Sequence, residues 1–255
     1  MIVSKKSARR LRQVEYFKRN PKPFLDRAHD WGEVLISNKN KTLTRKQIFD
    51  YYKKNEGKIW KYLDGQTVMV ILAIKKNTFI LRRHAGDNSL IRLTKLKGID
   101  DPNSFEYWIN RRVVEFHPTL MSKRTPIMWL DLDIHSTKAP EARRKLLAKM
   151  RAAVPILKKV FKELGVRDVQ VYSSGKSGGY HLEGNLAKPT DVDVLRRKLR
   201  AKLDNAFSAD STFTTGRAKP GQIRLDTTTL HKLGSLRAPY SMTTTGFPKL
   251  PVGQP

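Results

Sequence analysis

From residue 127 to residue 226 the apolar pattern changes period several times, and that succession constrains the fold more than any other feature of the sequence. Ile127–Ile134 is an apolar run of strand length. Leu146, Leu147, Met150, Val154, Leu157, Phe161 and Leu164 then recur at helical spacing, in a helix that opens at Ser136 or Thr137, has Pro140 in its first turn and stops at Gly165. Pro155 falls inside this pattern and predicts a kink or a split. Asp168–Ser173 and Tyr180–Leu186 read as two strands of a hairpin. Thr190 is placed to cap a helix with Leu195, Leu199, Leu203 and Phe207 inward, and Gln222–Asp226 reads as a last strand. The order is β-α-β-β-α-β.

The upstream half is patterned differently. Thr44-Arg45-Lys46-Gln47 is a capping box, followed by Ile48, Tyr51, Tyr52, Ile59, Tyr62 and Leu63 at helical spacing across a break near Gly57. Thr67–Ile74, Thr78–Arg83, Ser89–Leu96 and Arg112–His117 read as strands, with turn chemistry at Asp64-Gly65 and Gly86-Asp87-Asn88. The expected organisation is a basic extension over 1–30, a β-rich subdomain over 31–120 and a second subdomain over 121–255. The fold class is α/β: an RNA-recognition-motif-like subdomain, chemistry on its sheet, packed against the N-terminal β-rich subdomain with a cleft between them.

Charge narrows the partners. Lys and Arg number 51 against 23 Asp and Glu, a formal net charge of +28. Such an excess repels itself in a compact chain unless polyanions offset it, so nucleic acid is the expected partner. There are no cysteines, which excludes disulfides, zinc ribbons and thiol catalysis. No apolar run reaches the ~20 residues that span a bilayer, and Met1–Arg12 lacks the apolar core of a signal peptide. A cytoplasmic, nucleoid-associated protein is expected.

In a chain so short of acids, Met128-Trp129-Leu130-Asp131-Leu132-Asp133 puts two at the end of an apolar strand. Residues two apart share a strand face, so Asp131 and Asp133 face one way while Leu130 and Leu132 face the core. Paired carboxylates repel unless a cation neutralises them, and hard oxygen donors suit Mg²⁺ or Mn²⁺. An isolated Asp-x-Asp is more often a solvated strand end. Ser173-Ser174-Gly175-Lys176-Ser177-Gly178-Gly179-Tyr180-His181 is a glycine-rich turn with Ser, Lys and His donors, suited to phosphate oxygens, although its spacing is not that of a Walker A loop. Asp226 ends the last strand and precedes Leu236-Arg237-Ala238-Pro239-Tyr240-Ser241, where Arg237 is a candidate phosphate clamp.

Taken in this order, these elements resemble the archaeo-eukaryotic primase superfamily. Leu43–Tyr52, Tyr62–Val70, Thr78–His84 and Val114–Pro118 narrow the likeness to the polymerase domain of bacterial DNA ligase D, over roughly residues 40–245. The resemblance implies a template-directed nucleotidyltransferase that extends 3′ ends or fills gaps, in DNA break repair by end joining with ligase and end-binding partners. It implies Asp131, Asp133 and Asp226 as catalytic ligands of two divalent cations, Mn²⁺ or Mg²⁺. Ser174, Lys176, Ser177, His181, Arg237 and Ser241 would bind the NTP or dNTP triphosphate, and His117 would lie near its sugar. Phe79, flanked by Arg82 and Arg83, matches an aromatic that stacks on template bases, and equally fits a core strand position. Lys18 and Lys22 belong to a basic segment suited to DNA, including a 5′-phosphate. Two departures stand out: Gly178 occupies the place of a basic residue in the turn, and Thr243 that of a primase histidine. De novo priming, a metal-dependent nuclease and a non-catalytic nucleic-acid binder are the alternatives.

Overall fold

The computed structural model describes residues 30–84, 89–94, 98–135, 139–174 and 179–252. The basic extension with Lys18 and Lys22, the turn residues Lys176 and Ser177, and the expected helix start at Ser136 or Thr137 lie outside them. The chain divides into two units. The first comprises residues 1–116 and Thr244–Gly246; the second comprises His117–Thr243 and residues 247–255.

In the first unit a short hairpin, β1 (Val34–Ser37) and β2 (Thr42–Thr44), leads into helix α1 (Arg45–Leu63). The capping box forms: Thr44 accepts from the Gln47 backbone and the Gln47 side chain accepts from Thr44. The expected break near Gly57 does not occur. Gly57 sits on the solvent side with nothing near a would-be Cβ, so it costs helix propensity without interrupting the hydrogen-bond ladder. Strands β3 (Val68–Lys75), β4 (Thr78–Arg82) and β5 (Val113–Pro118) form a sheet in the order β4-β3-β5. The strand expected over Ser89–Leu96 is replaced, among its described residues, by single bridges of Leu90 to His84 and Arg92 to Thr67. A short helix, α2 (Phe105–Ile109), was not expected. It supplies Phe105 to an aromatic core in which Phe105 stacks on Phe116 at 5.0 Å and Tyr52 meets Phe116 edge-on at 5.3 Å.

The second unit has the expected strands and helices in order, with one short strand, β9, that was not expected. Strand β6 (Arg124–Ile134) is followed by α3 (Pro140–Glu163), β7 (Val166–Ser173), β8 (Gly179–Asp191), α4 (Val192–Ala206), β9 (Phe213–Thr214) and β10 (Ile223–Asp226). The sheet order is β7-β8-β6-β10-β9, antiparallel except for the β9–β10 pair. Helix α3 is not split at Pro155. That residue is exposed, so the carbonyl left without a donor can turn to water. The cap of α4 is Asp191, not Thr190: its carboxylate accepts from the Asp193 and Val194 amides at 3.0 Å, while Thr190 remains in β8. Strand β7 begins at Val166, two residues before the expected start, and Asp168 has φ 53° where the pairing with β8 slips. Leu130, Leu132, Leu182 and Leu225 meet Met150, Leu157, Phe161, Leu195 and Leu199 in one buried cluster. Both helices therefore cover one face of the sheet. The other face is left for chemistry.

Candidate functional site

Strand register assembles the site. Asp131 of β6 lies opposite His181 of β8 and opposite Asp226 of β10, and Asp133 lies opposite Gly179 and Arg224. Directly paired residues point to the same face, so Asp131, Asp133, Asp226 and His181 all rise on the face away from α3 and α4. His181 is 4% exposed, and its Nε2 stands 3.2 Å from Asp131 Oδ1.

Gly179 is fixed by close approach. A Cβ there would lie 2.4 Å from Ser174 Oγ and 2.8 Å from Asp133 Oδ1, so only glycine leaves room for both. The Ser174 amide donates to Gly179 O at 2.8 Å. Ser174 Oγ is buried with no hydrogen-bond partner among the described residues. Arg237 donates from Nη1 to Ser174 O, which ties the C-terminal segment to the turn.

A cavity of about 120 Å³ opens here, lined by His117, Asp131, Asp133, Ser174, His181, Thr229, Ser235, Leu236 and Arg237, all of the second unit. His117 reaches it because Thr119 bridges Ser235 and the Leu120 amide donates to Gly234 O at 2.8 Å. Six of the residues singled out in the sequence therefore meet in one cavity.

Two others of the second unit, Asp226 and Ser241, stand apart from the lining. The Asp226 backbone is beside Asp131, but its Oδ1 accepts from the Thr228 amide at 2.8 Å, from Thr228 Oγ1 at 2.5 Å and from Arg224 at 3.3 Å. Those bonds cap the turn Thr227–Thr229. Accordingly, no group of three His, Asp or Glu side chains among the described residues is set to hold a metal ion as it stands. The carboxylate donors and their shared face suit hard divalent cations. Ser241 is fully buried, with its Oγ on Met242 O at 3.4 Å. In the first unit, Phe79 is half-buried on β4 opposite Ala73, and Arg82 donates to His84 O at 3.0 Å. Burial lowers the Arg82 guanidinium below its ordinary value. Arg83 is half-buried.

Sequence reasoning missed Lys249. Its ammonium is fully buried, pairs with Glu183, donates to Arg237 O and lies 5.0 Å from the Tyr172 ring centroid. Burial, the largest influence, holds it below the ordinary lysine range, against the attraction of Glu183. Glu183 is two residues from His181 on the same strand face, a signal that was readable. A lone Lys in a Pro-bearing tail carries none. The pair anchors the backbone of Arg237 through its carbonyl.

No protein-family model matches the chain, and no curated protein sequence is similar to it. Among solved structures, the polymerase domain of Mycobacterium tuberculosis ligase D, determined in complex with DNA, superposes with a TM-score of 0.62. The match has 16% sequence identity and covers 82% of this chain and 80% of that one. The chain thus shares the mixed α/β fold of that domain.

Proposed function

We propose that the chain is a template-directed nucleotidyltransferase of the primase-polymerase type. One observation carries the reading: the β8-β6-β10 register lines up Asp131, Asp133 and Asp226 beside Gly179 and a buried histidine. Bound there, two divalent cations would activate a 3′-hydroxyl and neutralise the triphosphate. Asp131, Asp133 and Asp226 would hold them, the first two from the cavity lining and the third from the strand beside Asp131. Ser174 Oγ, His181 and Arg237 donate to phosphate oxygens, with Lys176 and Ser177 of the same turn. His117 orients the sugar. Ser241 supports the Arg237 segment from the interior. Phe79 with Arg82 and Arg83 serves the template strand, where stacking contributes ~1–3 kcal/mol per base. Gap filling or end extension in break repair is the proposed setting, and the polymerase domain solved with DNA supports a DNA substrate.

The test is extension of a labelled, gapped primer-template by the full chain, with NTPs or dNTPs and Mn²⁺ or Mg²⁺. Template-dictated addition is expected. Shortening of the strand without nucleotides would instead assign a nuclease, dinucleotide products on unprimed template would assign priming, and the absence of extension, shortening and dinucleotides alike would sink the enzymatic reading.

A further inference from the structure

Helix α3 carries eight Lys or Arg and two Glu, and their arrangement around the helix is lopsided. Its acid partners all lie on one flank: Lys145 pairs with Glu141 at 3.3 Å, Lys149 with Asp210 at 3.1 Å, and Glu163 with Lys202 of α4 at 2.6 Å. On the other flank Arg144, Arg151, Lys158 and Lys162 follow one another at intervals of seven, seven and four residues. At ~3.6 residues per turn these four fall within an arc of about 40°. All four are exposed, and none has a carboxylate within ion-pair distance among the described residues. Arg151 donates to Tyr180 Oη at 3.1 Å. The stripe is about 27 Å long at ~1.5 Å per residue.

A merely solvated helix face alternates charge, since opposite signs at i,i+4 stabilise and like signs destabilise by a few tenths of a kcal/mol. Here Lys158 and Lys162 form a like-charge i,i+4 pair, and the helix keeps its acids away from that line. An external polyanion would relieve that repulsion. Leu146, Met150, Leu157 and Phe161 fasten the inner side of the same helix to the sheet, so the stripe is rigid and stands on the opposite side of the sheet from Asp131.

We propose that this stripe is a second nucleic-acid contact, distinct from the cavity, that takes the phosphate backbone of a duplex. Over about 27 Å a duplex presents roughly sixteen phosphates, ample for the four cations. The stripe has no line of large apolar side chains to enter a bilayer, which favours the duplex over a lipid surface. This inference rests on charge placement and does not require the catalytic reading.

The experiment measures binding of the full chain to a labelled duplex across a salt series, without nucleotide or divalent metal. The variant is Arg144→Gln/Lys158→Gln/Lys162→Gln, which keeps helix propensity. A control of equal net charge is Lys39→Gln/Lys54→Gln/Lys61→Gln, at exposed positions of the first unit. The stripe variant is expected to lose about 2.7 units of log–log salt slope, with the single changes Lys158→Gln and Lys162→Gln losing about one each. The control is expected to lose less than one. An unchanged slope in the stripe variant, or an equal loss in the control, would overturn the proposal. So would a variant that loses binding only to phosphatidylserine vesicles. Primer extension run beside it separates the two readings: a chain inactive on primers that still shows the slope loss retains this one alone.

Discussion

Strand β6 presents two environments one residue apart. Leu130 and Leu132 are fully buried against α3 and α4, whereas Asp131 and Asp133 stand on the other face beside His181 and Gly179. The same backbone ladder supports both. What differs is the covering: two amphipathic helices on one side, and on the other a C-terminal segment pinned by a buried ion pair. The difference teaches that stability and chemistry are separable here by the parity of a strand position. A change on one face should unfold the chain, and a change on the other should silence it.

The sharpest break of that comparison is Asp131→Asn with Asp133→Asn. Nucleotidyl transfer should fall about 10³-fold or more, while the melting temperature holds or rises because like charges are removed. Leu132→Ala should do the converse, costing about 3 kcal/mol in denaturant unfolding with normal activity per folded molecule. If the Asn variant melted early, or the Ala variant were stable and inactive, the parity rule would fail.

Lys249 sharpens the comparison, since it is a charge that belongs to the covering of the site face. Lys249→Met leaves Glu183 without its cation and should cost about 3 kcal/mol, whereas Lys249→Met/Glu183→Leu should recover most of that loss. The buried ammonium also fixes a sign with pH. Its folded value lies below 10.5, so in the window between the two values the unfolded chain binds the extra proton. Stability should therefore rise with pH across that window, and the double variant should lack this component. The smallest effect belongs to the connection between the faces: Asp191→Ala removes the α4 cap and should cost about 1 kcal/mol, with Thr190→Ala costing less.

Much of this was legible in the sequence because it is local. The capping box at Thr44, the period change around β6 and α3, and the strand parity of Asp131 and Asp133 need only neighbours along the chain. What escaped was tertiary. Pro155 was expected to kink or split α3, yet an exposed proline leaves a carbonyl that water can satisfy, so no split occurs. Asp191 displaced Thr190 as cap because β8 runs to Asp191. The cavity residues Thr229 and Ser235 carry no motif. They reach the site through Gly234, where a Cβ would lie 1.8 Å from Thr229 O. Lys249 could be found only by its burial.

The central claim is that carboxylates on one sheet face hold paired cations, and counting bound Mn²⁺ by electron paramagnetic resonance tests it most directly. With a non-hydrolysable nucleoside triphosphate, the full chain should bind two Mn²⁺, Asp226→Asn should bind fewer, and Asp131→Asn/Asp133→Asn should bind none. Failure of the chain to bind Mn²⁺, or binding that survives loss of Asp131 and Asp133, would contradict the account.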